Sequence, residues 1–305
     1  MIDLSGSWLK VEDFDLVREV HLSVIREWGR RALQYTDPAG APEAREALEG
    51  LLGRLGFGGL RALFTNSLSD SLRILKFVHL NDSDCVSLED PTSRDALSVF
   101  KDICSSGKLR YIQPIWRDPD GRVYSTDELV AEARAAPLVV YDLTYGLLAD
   151  GQVAAADNVV VVGSLHALFP GLHLGFIAAP EELYKLYLNF VEGAYLHPPT
   201  YMQYLFHVAV KIGAVYQIFR ELLRRREVAR EFVESSSPYF AWVRAKKLET
   251  FLKHGAVRGS EFSLNGRFGE YARVGLLSAT ARELEEFFSK IYLKELQSAG
   301  AGGVV

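Results

Sequence analysis

The stretch Gly163 to Phe176, GSLHALFPGLHLGF, holds the residues with the clearest capacity for chemistry. It follows a run of valines and reads as a strand end, a tight loop and a return strand. His166 and His173 fall within it, and no lysine occurs between Lys108 and Lys185. A neutral imidazole, with an ordinary pKa of about 6.5, can exchange a proton at neutral pH or serve as a weak anion ligand. Asp142 ends another apolar run, PLVVYDL, with Tyr145 three residues on. Such an aspartate either caps a helix or, at a strand end, faces a ligand. His21, His79, His197, His207 and His254 form no ligand-spaced cluster, and Cys85 and Cys104 lie outside any CxxC. Neither a zinc site nor a disulfide framework is therefore expected, and a reducing cytoplasm is.

These residues need a scaffold that brings strand ends together. Short apolar or β-branched runs occur at DCVSLED, LRYIQPI, PLVVYDL, NVVVVGS and LGFIAA, with segments between them long enough for crossover helices. The pattern predicts an α/β fold, a mostly parallel sheet with helices on both faces. Ligands in such sheets bind beyond the carboxyl ends of the strands, where Asp142 and His166 fall. Ser125 with Glu128, and Thr280 with Glu283, have capping-box spacing and predict helix starts. One long helix is predicted from Tyr201 to about Val233, followed by strands at YFAWVRA, HGAVRG and YARVGLL and a last helix, ARELEEFFSKIYLKEL, forming a small α/β domain.

Composition narrows the partners. With 49% apolar and 24% charged residues, the 305-residue chain can bury a full core. Its net charge of -5 argues against non-specific nucleic-acid binding, and the basic cluster LLRRREVAR reads as a solvated helix face. No apolar run approaches the ~20 residues of a membrane span, and the acidic start lacks a signal-peptide pattern. A cytoplasmic protein with no nucleic-acid or membrane partner is expected.

Several segments, taken in order, resemble one enzyme family. LQYTDPAGAPEAREAL, VSLEDPTSRDAL, YIQPIWRDPDGRVYSTDEL, VVYDLTYGLLADG, GSLHALFPGLHLGFIAAPEEL and the strands ending in YARVGLLSA are similar to consecutive motifs of the class I and II aminotransferases, the fold-type I enzymes dependent on pyridoxal phosphate (PLP). The resemblance runs from Leu33 to the C-terminal helix and implies a fold-type I architecture: a large domain over 33–205, a connecting helix and small C-terminal domain over 206–305, and an N-terminal segment, 1–32, that joins the small domain. It also implies a dimer, with sites built across the interface.

By that resemblance, Asp142 pairs with the cofactor's pyridinium nitrogen and Tyr145 bonds its phenolic oxygen. Arg273 clamps the substrate carboxylate of an amino or keto acid. Tyr35 reaches the phosphate of a neighbouring subunit. Ser67, Ser69 and Ser164 are the remaining hydroxyl donors of the cofactor cradle, beside Asp70. The departures lie where the cofactor is held. His166 stands at the position of the Schiff-base lysine and His173 at that of the phosphate-binding arginine. Asp118 replaces the asparagine that donates to the phenolate oxygen, and Ser93 replaces the stacking aromatic. An imidazole cannot form the imine that lysine forms. The expectation is an aminotransferase homologue without ordinary lysine-dependent transamination, kept for amino or keto acid binding or for pairing as a homodimer or with an active homologue. The alternative keeps PLP without a covalent link, with His166 as catalytic base; no bound cofactor is the other state. A third reading is an ordinary PLP aminotransferase whose lysine comes from elsewhere, such as Lys185 or Lys108.

Overall fold

The β-branched runs at 138–142 and 159–164 become the centre of a six-stranded sheet, because a strand covered on both faces needs apolar side chains at every position. The computed structural model describes residues 2–244 and 248–300, with side chains as far as Ile291. Met1, residues 301–305 and Ala245, the end of the predicted strand YFAWVRA, lie outside the described residues, as do the side chains of the last predicted helix beyond Ile291.

The strands of the large sheet are β1 (Arg61–Thr65), β2 (Val86–Ser87), β3 (Leu109–Ile112), β4 (Leu138–Asp142), β5 (Val159–Ser164) and β6 (Gly175–Ala179), in the order β1-β6-β5-β4-β3-β2. From β2 to β5 they run parallel, and β6 runs antiparallel to both β5 and β1. A second, antiparallel sheet takes the order β7-β9-β8 from β7 (Phe240–Arg244), β8 (Val257–Arg258) and β9 (Tyr271–Gly275). The helices are α1 (Phe14–Ser23), extended by a π-helical turn (Val24–Trp28), α2 (Gly29–Ala32), α3 (Pro42–Arg54) and α4 (Leu68–His79). They continue with α5 (Arg94–Val99), α6 (Thr126–Ala133), α7 (Glu181–Tyr195), α8 (Thr200–Lys211), α9 (Ala214–Arg230), α10 (Leu248–Leu252) and α11 (Ala281–Gly300).

Alternation along the strands divides the core. Val139, Tyr141, Val159 and Val161 join the cluster that holds α3, α8 and α9, whereas Val140, Val160 and Val162 join that of α4 and α7. A third cluster joins Leu4 to the small sheet, α10 and α11. Ser125 and Glu128 form the predicted reciprocal cap of α6, and Thr280 and Glu283 bond in the same way at the start of α11. No helix among the described residues is long and apolar enough to cross a membrane.

Four expectations are corrected. The edge strand β1 was not anticipated, and no helix covers the 143–158 connection. The long helix after Tyr201 is two, α8 and α9, broken where Gly213 takes a φ of 77°, a left-handed conformation that glycine adopts without steric cost. In LLRRREVAR, Arg225 is fully buried on the same stripe as Ile218, Leu222 and Ala229, while Arg230 points to solvent.

The fourth correction concerns the cysteines. Cys85 and Cys104 form a disulfide, with Cα atoms 5.9 Å apart. The partnership comes from pairing between β2 and the segment after it: Val86 N–H donates to Asp102 O at 2.9 Å and Cys104 N–H to Val86 O at 3.0 Å. Cysteine usage therefore gives no argument for a reducing compartment. Replacing both cysteines by serine is expected to lower unfolding stability by about 2–4 kcal/mol, measured by denaturant titration. Thiol titration of the unfolded, unreduced protein should find no free thiol.

Candidate functional site

The carboxyl ends of β3, β4 and β5 open onto a cavity of about 230 Å³. Asp142, the last residue of β4, sits at its base, and the turn after it sets the carboxylate. Thr144 donates to Oδ1 through its N–H at 2.8 Å and its hydroxyl at 2.6 Å. Tyr111 donates its hydroxyl to Oδ2 at 2.5 Å and Gln113 its Nε2 at 3.1 Å. Burial pushes the carboxyl up to about 6, against the pull of the Thr144 and Tyr111 bonds. The aspartate caps no helix; its bonds to Thr144 are those of an Asx turn.

His166 is brought to the cavity by the reversal of β6. Ser164 and Gly175 are paired across β5 and β6, and the intervening loop buries Leu165, Leu168, Phe169 and Leu172 in the core, so His166 is held from both sides. Its Nδ1 lies 3.0 Å from Ser164 Oγ, and its ring meets that of Tyr145 edge-on at 6.0 Å. Burial pushes the imidazole down to about 4, with the charge of Arg273 acting in the same direction. It is neutral at pH 7. His173, on the same loop, also lines the cavity and is exposed.

Arg273 stands behind the cavity wall. Its Nε donates to Asp118 Oδ1 at 3.0 Å, its Nη1 to Ser5 O at 3.0 Å and its Nη2 to Tyr145 Oη at 3.1 Å. Its guanidinium carbon lies 4.8 Å over the Phe240 ring. Asp118 and Tyr145 line the cavity and Arg273 does not. Burial raises the Asp118 carboxyl, and the guanidinium pulls it back. Burial likewise raises the Tyr145 phenol. Asp118 N–H donates to Gln113 Oε1 at 3.1 Å, so Gln113 links the Asp118 backbone to the Asp142 carboxylate.

At the β1 end, Ser67 lines the cavity and caps α4 by accepting from Asp70 N–H at 3.1 Å. Ser69 is outside the wall and donates its hydroxyl to Asp95 Oδ1 at 2.5 Å. Ser93 caps α5 through the N–H groups of Asp95 and Ala96. The cavity thus gathers Asp142, Tyr145, Asp118, Ser67, Ser164, His166 and His173, with Arg273 buried behind it and Ser69 outside it. Tyr35 is elsewhere: it is 87% exposed and packs edge-on against His197 at 5.4 Å. Lys108 pairs with Asp84 and Lys185 with Glu181 at exposed positions, and neither lines the cavity. Tyr111, Thr144, Gln113 and Asp95 were not anticipated. Gln113 follows β3 directly and Thr144 stands two residues beyond the end of β4, the signal that could have found them. Among the described residues no group of three or more His, Cys, Asp or Glu is placed to hold a metal ion.

No family model matches the chain. Over 333 aligned positions it is 25% identical to an uncharacterized aminotransferase of Saccharolobus solfataricus, covering 86% of this chain and 83% of that protein. Among solved structures, an archaeal alanine:glyoxylate aminotransferase is similar at a TM-score of 0.80 and 18% identity, over 96% of this chain and 91% of that one. The Pyrococcus horikoshii kynurenine aminotransferase is similar at 0.75 and 19%, over 96% and 91%. A double mutant of Thermus thermophilus aspartate aminotransferase is similar at 0.77 and 18%, over 95% and 91%. These likenesses show the fold.

Proposed function

We propose that this chain, an aminotransferase homologue with the fold-type I architecture of the PLP-dependent enzymes, does not run lysine-dependent transamination and holds a small polar molecule in the cavity around His166. The observation that carries this reading is the cavity wall. It presents Asp95, Asp118 and Asp142, the two imidazoles and serine hydroxyls, with no lysine or arginine among the described residues. Transamination needs a primary amine that forms and releases a carbon–nitrogen double bond, which an imidazole cannot supply.

PLP does not fit this donor set. Asp142 suits a pyridinium nitrogen, but it already accepts from Tyr111, Gln113 and Thr144. A phosphate dianion needs cations or free N–H donors. Here the α4 terminus is capped by Ser67, and Asp95 both faces the cavity and takes the Ser69 hydroxyl. The volume of about 230 Å³ also falls below the roughly 300–1,000 Å³ of drug-sized ligand sites. His166 at about 4 is a poor match for proton abstraction at neutral pH, which favours a base titrating near the working pH. This weighs against the reading in which PLP is held without a covalent link and His166 acts as base.

Pairing with a second chain, identical or an active homologue, is a compatible role. Leu33 and Tyr35, 73% and 87% exposed, support it as apolar side chains that a partner would cover.

The test is absorbance of the purified protein after incubation with PLP and dialysis, with His166→Lys alongside. No visible band is expected in either, because the phosphate partners are missing as well as the amine. A borohydride-sensitive band in the wild type would overturn the proposal. Reversible PLP binding that His166→Lys converts to such a band would overturn it in favour of the non-covalent cofactor.

A further inference from the structure

The cavity's specificity turns on the Arg273 guanidinium buried behind its wall. A ligand carboxylate binds arginine best through two parallel N–H···O bonds, which require a free edge of the guanidinium. Each of the three guanidinium nitrogens of Arg273 already donates to a group of the chain itself. Asp118 takes Nε, Tyr145 takes Nη2, and the Ser5 carbonyl takes Nη1. The backbone at Gly6 is so close that a Cβ there would lie 2.7 Å from Nη1, and Phe240 covers one face of the group. Asp118 is itself fixed, since its N–H donates to the Gln113 side chain that also holds Asp142. It and Tyr145 are the residues that face the cavity in front of the guanidinium.

We propose that Asp118 is the specificity-determining residue of this cavity: it covers Arg273 with a carboxylate of the chain's own and so excludes ligands that carry one. The inference rests on the reading that the cavity holds a small molecule, and it narrows that molecule to an amine, amide or hydroxyl compound without a free carboxylate. An incoming carboxylate would have to displace a buried ion pair and would also meet Asp95 and Asp142 on the wall.

The probes are pyruvate and its uncharged amide, pyruvamide, titrated calorimetrically at pH 7 into the protein without PLP. Wild type should bind pyruvate no better than pyruvamide. Asp118→Asn keeps the side-chain shape but frees the guanidinium's charge, and should bind pyruvate on the order of tenfold more tightly than wild type. The gain should vanish in the double variant Asp118→Asn, Arg273→Gln. A wild-type preference for pyruvate would overturn the inference even if the variants fail to fold. So would the lack of any gain in Asp118→Asn, or a gain that persists without Arg273. Because PLP is absent throughout, these outcomes do not depend on how the cofactor test falls.

Discussion

Replacing Arg117 by methionine is expected to destabilise the protein by about 3–5 kcal/mol at pH 8 and by markedly less at pH 5. Glu89 has a side chain only 1% exposed. Its Oε1 accepts from Arg117 Nη1 at 2.7 Å and from the Tyr124 hydroxyl, and its Oε2 from Gln113 N–H at 2.9 Å. Arg117 in turn donates to Asp120 at 2.9 Å. Methionine would leave the glutamate charge buried without its counter-ion. Burial already raises the Glu89 carboxyl above its ordinary 4.5, and Arg117 is the largest influence holding it down. Without the arginine it should rise further. The sign follows: a carboxyl raised by folding binds more protons folded than unfolded, so stability falls as pH rises from the ordinary value through the folded one. Denaturant titrations at pH 5, 6.5 and 8 read this directly. A pH-independent loss would mean that Arg117 contributes packing rather than charge.

Arg225→Met should cost a similar amount, about 3–5 kcal/mol, with little dependence on pH in the same range. The Arg225 side chain reaches from α9 to three carbonyls, Leu277 O at 2.8 Å, Leu276 O at 3.2 Å and Lys10 O at 2.6 Å, and it pairs with Glu221. Those carbonyls belong to the end of the small sheet and to the N-terminal segment, so one guanidinium ties three parts of the chain. Methionine fills much of the volume but takes the guanidinium donors from the Leu276 and Lys10 carbonyls, Leu277 O keeping the Lys10 N–H, and that loss is the costly part. Heat and denaturant unfolding measure the loss. A change below about 1 kcal/mol would show that water replaces the guanidinium there.

How much of this was legible in the sequence follows from range. The central strands were readable because burial on both faces writes itself as an uninterrupted apolar run, as in NVVVVGS. β1, RALFT, is short and opens on an exposed arginine, so its signal is weak, and only its pairing with β6, more than a hundred residues on, makes it a strand. That Asp142 and His166 line the cavity was legible because strand ends are where such a sheet exposes side chains, whereas Tyr145 was marked by the resemblance. The partnership of Asp118 with Arg273 was not, since nothing local links residues 155 positions apart. Arg225 could have been found: it continues the buried stripe of Ile218, Leu222 and Ala229 on α9, and its charge hid a position that the helical period marks as internal.

The reversal of β6 has a further bearing on how this chain can change. Because β5 and β6 are joined at one end of the sheet, a single short loop delivers both His166 and His173 to the cavity while its leucines and phenylalanine anchor it in the core. Two point substitutions in that loop can therefore recast the charge of the cavity without altering a strand or the loop's buried leucines and phenylalanine. Chemical identity and structural integrity are written on different residues of the same loop.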